Sequence, residues 1–303
     1  WSLRSESSSY NIITRYKKLV GFEVFFNTGT DEHGQKVYKA ALAEGKDPKT
    51  YCDELAEKYI NLKDALGLSE DLHFIRTTAE HHKQAALEIW KKCQEAGYIE
   101  KKQYKIKYCV GCELEKTDSE LVDGRCPIHP NNEIEIIEEE NYFFKFSQFG
   151  PKLLGLYQRT DFVVPDYRLN EMRALIGRGL EDFSISRLKS KMPWGVTVPG
   201  DEEHVMYVWF DALTSYLSTL GWPNNMDNYQ KFWAEGTTAQ FAGKDQVRQQ
   251  AAMWQAMLMA AGLSLTNQIV IHGFLNMEGQ KMSKSLGNVI SPKMIIEEFG
   301  TEA

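Results

Sequence analysis

The sequence has no run of about 18 apolar residues, so it offers no helix suited to crossing a membrane. Cysteine is scarce, with five in 303 residues, too few for a disulfide scaffold. Positive charge is not in excess. Thirty-five Lys and Arg against 42 Asp and Glu leave a net charge of −7, which excludes a surface built throughout to hold nucleic acid and leaves room only for a local basic patch. Residues 1–9 lack the apolar core of a secretory signal, and there is no repeat or low-complexity tract. Together these absences point to a reducing setting, cytoplasmic, or organellar after loss of a transit peptide. The length is enough for two packed units, one compact domain carrying an insertion.

The chain reads as alternating helices and strands. Asn11–Leu19 suits a short helix, and Glu23-Val24-Phe25-Phe26 a buried strand that ends in a polar turn, Asn27-Thr28-Gly29-Thr30. Asp47 and Pro48 open a second helix, in which Tyr51, Leu55, Tyr59, Leu62 and Leu66 recur at helical spacing up to Gly67. Thr77 and Glu80 have capping-box spacing ahead of a helix over 79–96, with Ala86, Ile89, Trp90 and Cys93 on its core side. From about Gly97 short alternating stretches, Gln103–Tyr108 and Glu133–Ile137, predict a small β-rich insertion. Strands return at Phe183–Ser186, Val205–Trp209, Thr238–Ala242 and Gln268–His272, with a helix over Gln246–Ala261. An α/β parallel sheet of doubly wound, Rossmann type, split by an insertion, is the economical reading. Its expected parts are 1–97, 98–182 and 183–303.

Three of the five cysteines fall in Cys109-x2-Cys112-x13-Cys126-x2-His129. Three thiolates and an imidazole in two chelating pairs are the soft set that tetrahedral Zn²⁺ prefers, and four protein ligands leave no open position, so the metal is expected to be structural. Lys101, Lys102, Lys105 and Lys107 lead into this knuckle. They suit either an RNA backbone or a solvated hairpin face, the second being the commoner use of such a run.

Lys281-Met282-Ser283-Lys284-Ser285 places two ammonium groups three residues apart in a polar loop after a strand and turn. Such a loop can clamp phosphates where charge builds on a leaving group. Asp31, at the carboxyl end of a strand, lies where α/β folds bind ligands, although an isolated Asp there is more often a helix cap. The pentapeptide resembles the KMSKS motif of class I aminoacyl-tRNA synthetases at every position. Thr28-Gly29-Thr30-Asp31-Glu32-His33-Gly34-Gln35-Lys36 and Tyr207-Val208-Trp209-Phe210-Asp211-Ala212-Leu213-Thr214-Ser215-Tyr216 resemble segments of the methionyl branch of that class, and the similarity runs from about Arg15 to Ala303.

This resemblance implies a Rossmann catalytic domain split by a zinc-bearing connective peptide. It implies activation of L-methionine with ATP and Mg²⁺, then transfer to tRNA(Met). Asp31 would hold the substrate ammonium, and Trp209, Ala212, Leu213, Tyr216 and Trp254 its side chain. Gly243 and Asp245 would take the ribose, His272 and Gly273 the adenine, and Lys281, Ser283, Lys284 and Arg187 the phosphates. Two departures stand out. Many members carry Phe-His where this sequence has Gln249-Gln250, and the strand and His-Ile-Gly-His element that open the family domain are not among the 303 residues, so the implied ATP site is incomplete as written. Anticodon reading is expected to lie elsewhere. Other class I specificities, and a silent paralogue that binds a partner or RNA, are the competing readings.

Overall fold

The computed structural model describes residues 3–274, 276–277, 280–281, 294, 297–298 and 300, with backbone alone at 3–9, 65, 104, 106, 115, 137, 276–277 and 280–281. Helix α1 (Leu3–Leu19) starts earlier than its apolar pattern suggests. Asn11 ties it to the next layer, donating to the Gly67 carbonyl at 3.1 Å and accepting from the Ser69 N–H at 2.9 Å. Strand β1 is Asn27–Thr30, the stretch expected to be a turn, whereas 23–26 is not a strand. It runs parallel to residues 73–76. The close approach needs glycine: a Cβ on Gly29 would lie 2.1 Å from the Ile75 carbonyl oxygen. The carboxyl end of β1 is the kind of position at which parallel α/β folds bind ligands.

Helices α2 (Gln35–Ala43), α3 (Pro48–Ile60) and the short α4 (Leu62–Ala65) follow. As its sequence indicates, Asp47 caps α3, accepting from the Lys49 and Thr50 N–H groups at 3.0 and 3.1 Å. Strand β2 (His73–Arg76) leads to α5 (Glu80–Glu95), on which Ala86, Ile89, Trp90 and Cys93 are fully buried. The capping box expected ahead of α5 does not form. Ala79 is the N-cap, and the Thr77 hydroxyl instead accepts from the Glu32 N–H at 2.9 Å.

Strands β3 (Ile99–Cys109), β4 (Leu114–Lys116) and β5 (Glu135–Phe144) form a long antiparallel sheet with the knuckle at its tip. The four lysines before the knuckle all meet carboxylates: Lys101 meets Asp201 (2.9 Å), Lys102 Glu100 (3.1 Å), Lys105 Glu138 (3.2 Å), and Lys107 Asp118. That is the solvated hairpin face. Then come α6 (Gly150–Leu156), β6 (Val163–Val164) and α7 (Asp166–Gly177). Strand β7 (Phe183–Ser184) extends the antiparallel sheet, and β8 (Ser186–Leu188), β9 (Thr197–Val198) and β10 (Asp201–Met206) form another, with β10 central.

The strand expected over Val205–Trp209 stops at Met206. Helices α8 (Val208–Ala212) and α9 (Ser215–Ser218) follow. A short apolar run buried on all sides has no periodicity to separate strand from helix. Strand β11 (Ala239–Gly243) is followed by the expected helix, split into a tight turn at Lys244–Gln246, a π turn at Gln249–Met253 and α10 (Trp254–Ala261). Gly262 ends it in the left-handed conformation, φ 67°. Strand β12 (Gln268–His272) lies between β11 and β6, parallel to both, and an antiparallel pair of β13 (Asn276–Met277) and β14 (Gln280–Lys281) follows. One core, including Trp90, Phe144, Phe210, Trp254 and Ile269, joins the parallel strands β11 and β12 to the antiparallel sheet.

Candidate amino-acid and nucleotide site

The four knuckle residues come together. Their ligand atoms lie within 4.8 Å of one another, with Cys112 Sγ 3.4 Å from Cys126 Sγ and 3.2 Å from His129 Nδ1. Zinc–sulfur bonds of about 2.3 Å put tetrahedral ligands a little under 4 Å apart, so this donor set can hold a metal of that geometry. Gly111 makes the turn possible, since a Cβ there would meet the His129 ring at 2.6 Å.

From the knuckle the chain reaches back to the start of α2. Glu113, in the left-handed region at φ 52°, accepts from the Lys36 N–H at 3.2 Å and so caps α2 from outside. Beside it, Tyr108 packs with Tyr207 and Val208. The Arg187 guanidinium lies between the two tyrosine rings, 5.0 and 4.8 Å from their centroids, and donates to Ser184 Oγ and the Ser186 carbonyl. Expected at the phosphates, Arg187 is 7% exposed here and joins the knuckle strand to the Tyr207 segment.

Asp31 follows directly on β1 and keeps access to solvent, although protein surrounds it closely. Burial, reinforced by the charges of Glu113, Asp211 and Glu32, raises its pKa well above the ordinary carboxylate value, against a hydrogen bond from the His33 backbone. The neighbouring carboxylates are already engaged. Glu32 is buried and accepts from Arg76 Nε at 2.7 Å, Thr30 Oγ1 at 2.6 Å and the Thr78 hydroxyl. Asp211, completely buried, lies between His33 and His82 (2.5 and 2.7 Å). Burial opposes its charge, but the two imidazoles outweigh burial and hold its pKa far below the ordinary value. Asp31 is therefore the carboxylate of this group left exposed, and a ligand's ammonium would relieve it.

Of the residues expected around a substrate side chain, Trp209, Ala212 and Tyr216 are partly exposed, whereas Leu213 and Trp254 belong to the core. Tyr216 lies between the two sets, its ring 6.0 Å from that of Trp254. The indole nitrogens of Trp209 and Trp254 and the side-chain oxygens of Gln249 and Gln250 are buried without hydrogen-bond partners. Of the residues expected at a nucleotide, Gly243 and His272 are register partners at the carboxyl ends of parallel β11 and β12, where ligands of doubly wound sheets bind. Asp245 is exposed on the following turn, Gly273 accepts from its neighbour His272 Nδ1, and the Lys244 ammonium lies over the Phe274 ring, 4.3 Å from its centroid. The backbone of Lys281 ends β14; Ser283 and Lys284 lie outside the described residues. Reading the sequence did not single out Glu32, His33, His82, Glu113 or Asp211. Glu32, His33 and Asp211 fall within the segments that carry the resemblance and Glu113 follows Cys112, while nothing in the chain around His82 marks it.

Asp31 at the carboxyl end of β1, Gly243 and His272 at the carboxyl ends of β11 and β12, and an insertion carrying the Cys/His cluster together make a split Rossmann-type α/β arrangement. The family described as tRNA synthetases class I (M) matches residues 6–135 and 128–303, and the chain belongs to it. It is 43% identical to the methionine–tRNA ligase of Caldanaerobacter subterraneus subsp. tengcongensis over 293 residues, 96% of this chain and 45% of that protein. It is 44% identical to the Thermotoga maritima methionine–tRNA ligase, over 96% of this chain and 46% of that one. The chain thus spans about half the length of these relatives. The structure of Mycobacterium tuberculosis methionyl-tRNA synthetase in complex with methionyl-adenylate superposes with a TM-score of 0.92 at 38% identity, covering 100% of this chain and 60% of that one. The apo form of the same enzyme superposes with a TM-score of 0.79 at 34% identity, covering 99% and 56%.

Proposed function

We propose that this chain is the catalytic part of a methionine–tRNA ligase, which activates methionine with ATP to methionyl-adenylate and passes the acyl group to tRNA(Met). The observation that carries the reading is the superposition, at 38% identity over the whole chain, on an enzyme holding methionyl-adenylate. In the first step the methionine carboxylate attacks the α-phosphorus and pyrophosphate leaves. In the second, a hydroxyl of the terminal adenosine of the tRNA takes the acyl group and AMP leaves. The protein mainly orients reactants and stabilises charge.

Asp31 pairs with the substrate ammonium, and Trp209, Ala212 and Tyr216, backed by Leu213 and Trp254, receive the side chain. Gly243 and Asp245 hold the ribose, and His272 and Gly273 border the adenine. Lys281, Ser283 and Lys284 meet the phosphates, and Arg187 joins them only by leaving its tyrosine sandwich. Magnesium accompanies ATP. Cys109, Cys112, Cys126 and His129 hold a structural zinc, which fixes the hairpin tip that carries Glu113. The parts are 1–97 and 183–303 for the split catalytic domain and 98–182 for the insertion. Among the described residues no helix is long and apolar enough to cross a membrane, and free thiols suit a cytoplasmic setting.

Calorimetry of this protein with methionine, and methionine-dependent exchange of pyrophosphate into ATP, test the reading. Binding of methionine in preference to leucine is expected. A protein that binds leucine more tightly loses the methionine assignment. One that binds methionine but never exchanges pyrophosphate is a silent relative.

A further inference from the structure

Behind Asp31 lies a chain of polar contacts that the reaction itself does not use. Asp211 is ionised and can only accept, so each imidazole beside it carries its proton on the facing nitrogen. His33 Nδ1–H donates to Asp211 Oδ2 at 2.5 Å and His82 Nε2–H to Oδ1 at 2.7 Å. The other His82 nitrogen, Nδ1, accepts from the Ser218 hydroxyl at 2.9 Å. Every member is nearly inaccessible: His33 is 3% exposed, Ser218 1%, and His82 and Asp211 0%. The His33 backbone also favours the charged form of the Asp31 carboxylate, two residues before it. The edge of Trp194, its ring 5.5 Å away, leaves the His33 imidazole little freedom to turn.

These contacts join two segments far apart in the chain. His33 is two residues past Asp31, in the loop between β1 and α2. Asp211 is on α8, between Trp209 and Ala212 of the side-chain pocket. His82, on α5, fixes Asp211 from the other side. We propose that His33, Asp211 and His82 form a positioning brace that holds Asp31 at a set distance from the side-chain pocket, and so limits the length of side chain accepted. The brace deepens the methionine reading above and rests on it. A ligand whose ammonium is pinned by Asp31 finds its side-chain terminus at one depth only, and a homologue longer by one methylene must break the ammonium contact or push the pocket wall.

The test compares calorimetric affinities for methionine and its S-ethyl homologue ethionine in wild type, H33L and H33N. An asparagine amide nitrogen falls close to the place of Nδ1 and keeps the bond to Asp211, whereas leucine fills the space and drops it. H33L is expected to weaken methionine binding about 10-fold or more, as loss of a hydrogen bond to a buried charge does, and to narrow the preference over ethionine. H33N should stay within about 3-fold of wild type, since it keeps that bond. If H33L does not fold, H33Q replaces it, because the longer amide carries its donor towards the far side of the ring. Proton NMR supplies a readout that does not depend on methionine: two downfield imidazole N–H signals in wild type, one of them lost in H33L.

A folded H33L with wild-type affinity and wild-type preference overturns the brace, and so does an H33N as impaired as H33L. Wild type that binds methionine but lacks the downfield signals removes the brace and leaves the proposed function standing. Wild type that shows both signals but binds no methionine removes the proposed function, and the brace's role with it.

Discussion

Replacing Asp31 with asparagine should make the unliganded protein more stable and a worse ligand binder at the same time. Burial, with Glu113, Asp211 and Glu32 nearby, raises the Asp31 pKa in the folded chain. The native state therefore holds this proton to higher pH than the unfolded chain does. Between the ordinary carboxylate value and the raised one, stability falls as pH rises; above the raised value the penalty is constant. Because the carboxylate keeps access to solvent, the penalty is discounted to the scale of a surface pair, about 0.5–1 kcal/mol. The asparagine amide cannot ionise, so at pH 8 Asp31→Asn should raise the melting temperature by ~1–3 °C, with the gain vanishing below pH 4. Methionine binding should move the other way. The ammonium loses the carboxylate that the bound ligand itself would cover, at a cost of about 2–3 kcal/mol, or ~30- to ~150-fold in affinity. Wild-type affinity should also fall on acidification, as Asp31 takes up its proton before the ligand arrives. Calorimetry and thermal melts across pH 4–8.5 read both effects. A variant that binds methionine like wild type, or that melts lower at pH 8 with unchanged affinity, would refute the reasoning.

Other outcomes are as concrete. Cys112→Ser should abolish metal retention, read by elemental analysis, and raise hydrogen exchange across β3–β5 while β11 and β12 keep their protection, because knuckle folding and metal binding are coupled. Gly29→Ala should lower stability by about 1–3 kcal/mol, the usual cost of overpacking, because its Cβ would lie 2.1 Å from the Ile75 carbonyl; an unchanged denaturation midpoint counts against the close approach of β1 and β2. Lys284→Ala should slow pyrophosphate exchange on the order of 10²–10³, the scale for loss of one donor to a developing charge, with methionine affinity unchanged. A normal exchange rate with lost methionine binding would reverse that assignment.

Much of the architecture can be read along the chain wherever a local rule decides the outcome. The Asp47–Pro48 start of α3, the buried face of α5 and the Gln268–His272 strand each depend on neighbours within a few residues, and each forms as predicted. The metal cluster is equally local: two chelating pairs at the tip of one hairpin need only a turn, which Gly111 permits. The readings that changed involve competition from distant groups. Thr77 has the spacing of a helix cap but serves the Glu32 backbone, and Asn27–Thr30 looks like a turn yet becomes a strand because Ile75 lies alongside its glycine.

What the sequence determined by itself is the family, most of the elements and the four residues of the Cys/His cluster, and it marks Asp31 as the ammonium's candidate partner. The tertiary structure alone decided which charges are already spent. Arg76 neutralises Glu32, two imidazoles from separate segments hold Asp211, and Arg187 is enclosed by Tyr108 and Tyr207. His33 and Asp211 are 178 residues apart, and His82 and Asp211 are 129 apart. No periodicity or spacing connects such pairs, because a charge becomes available or satisfied only when folding removes water and leaves it one neighbour rather than another.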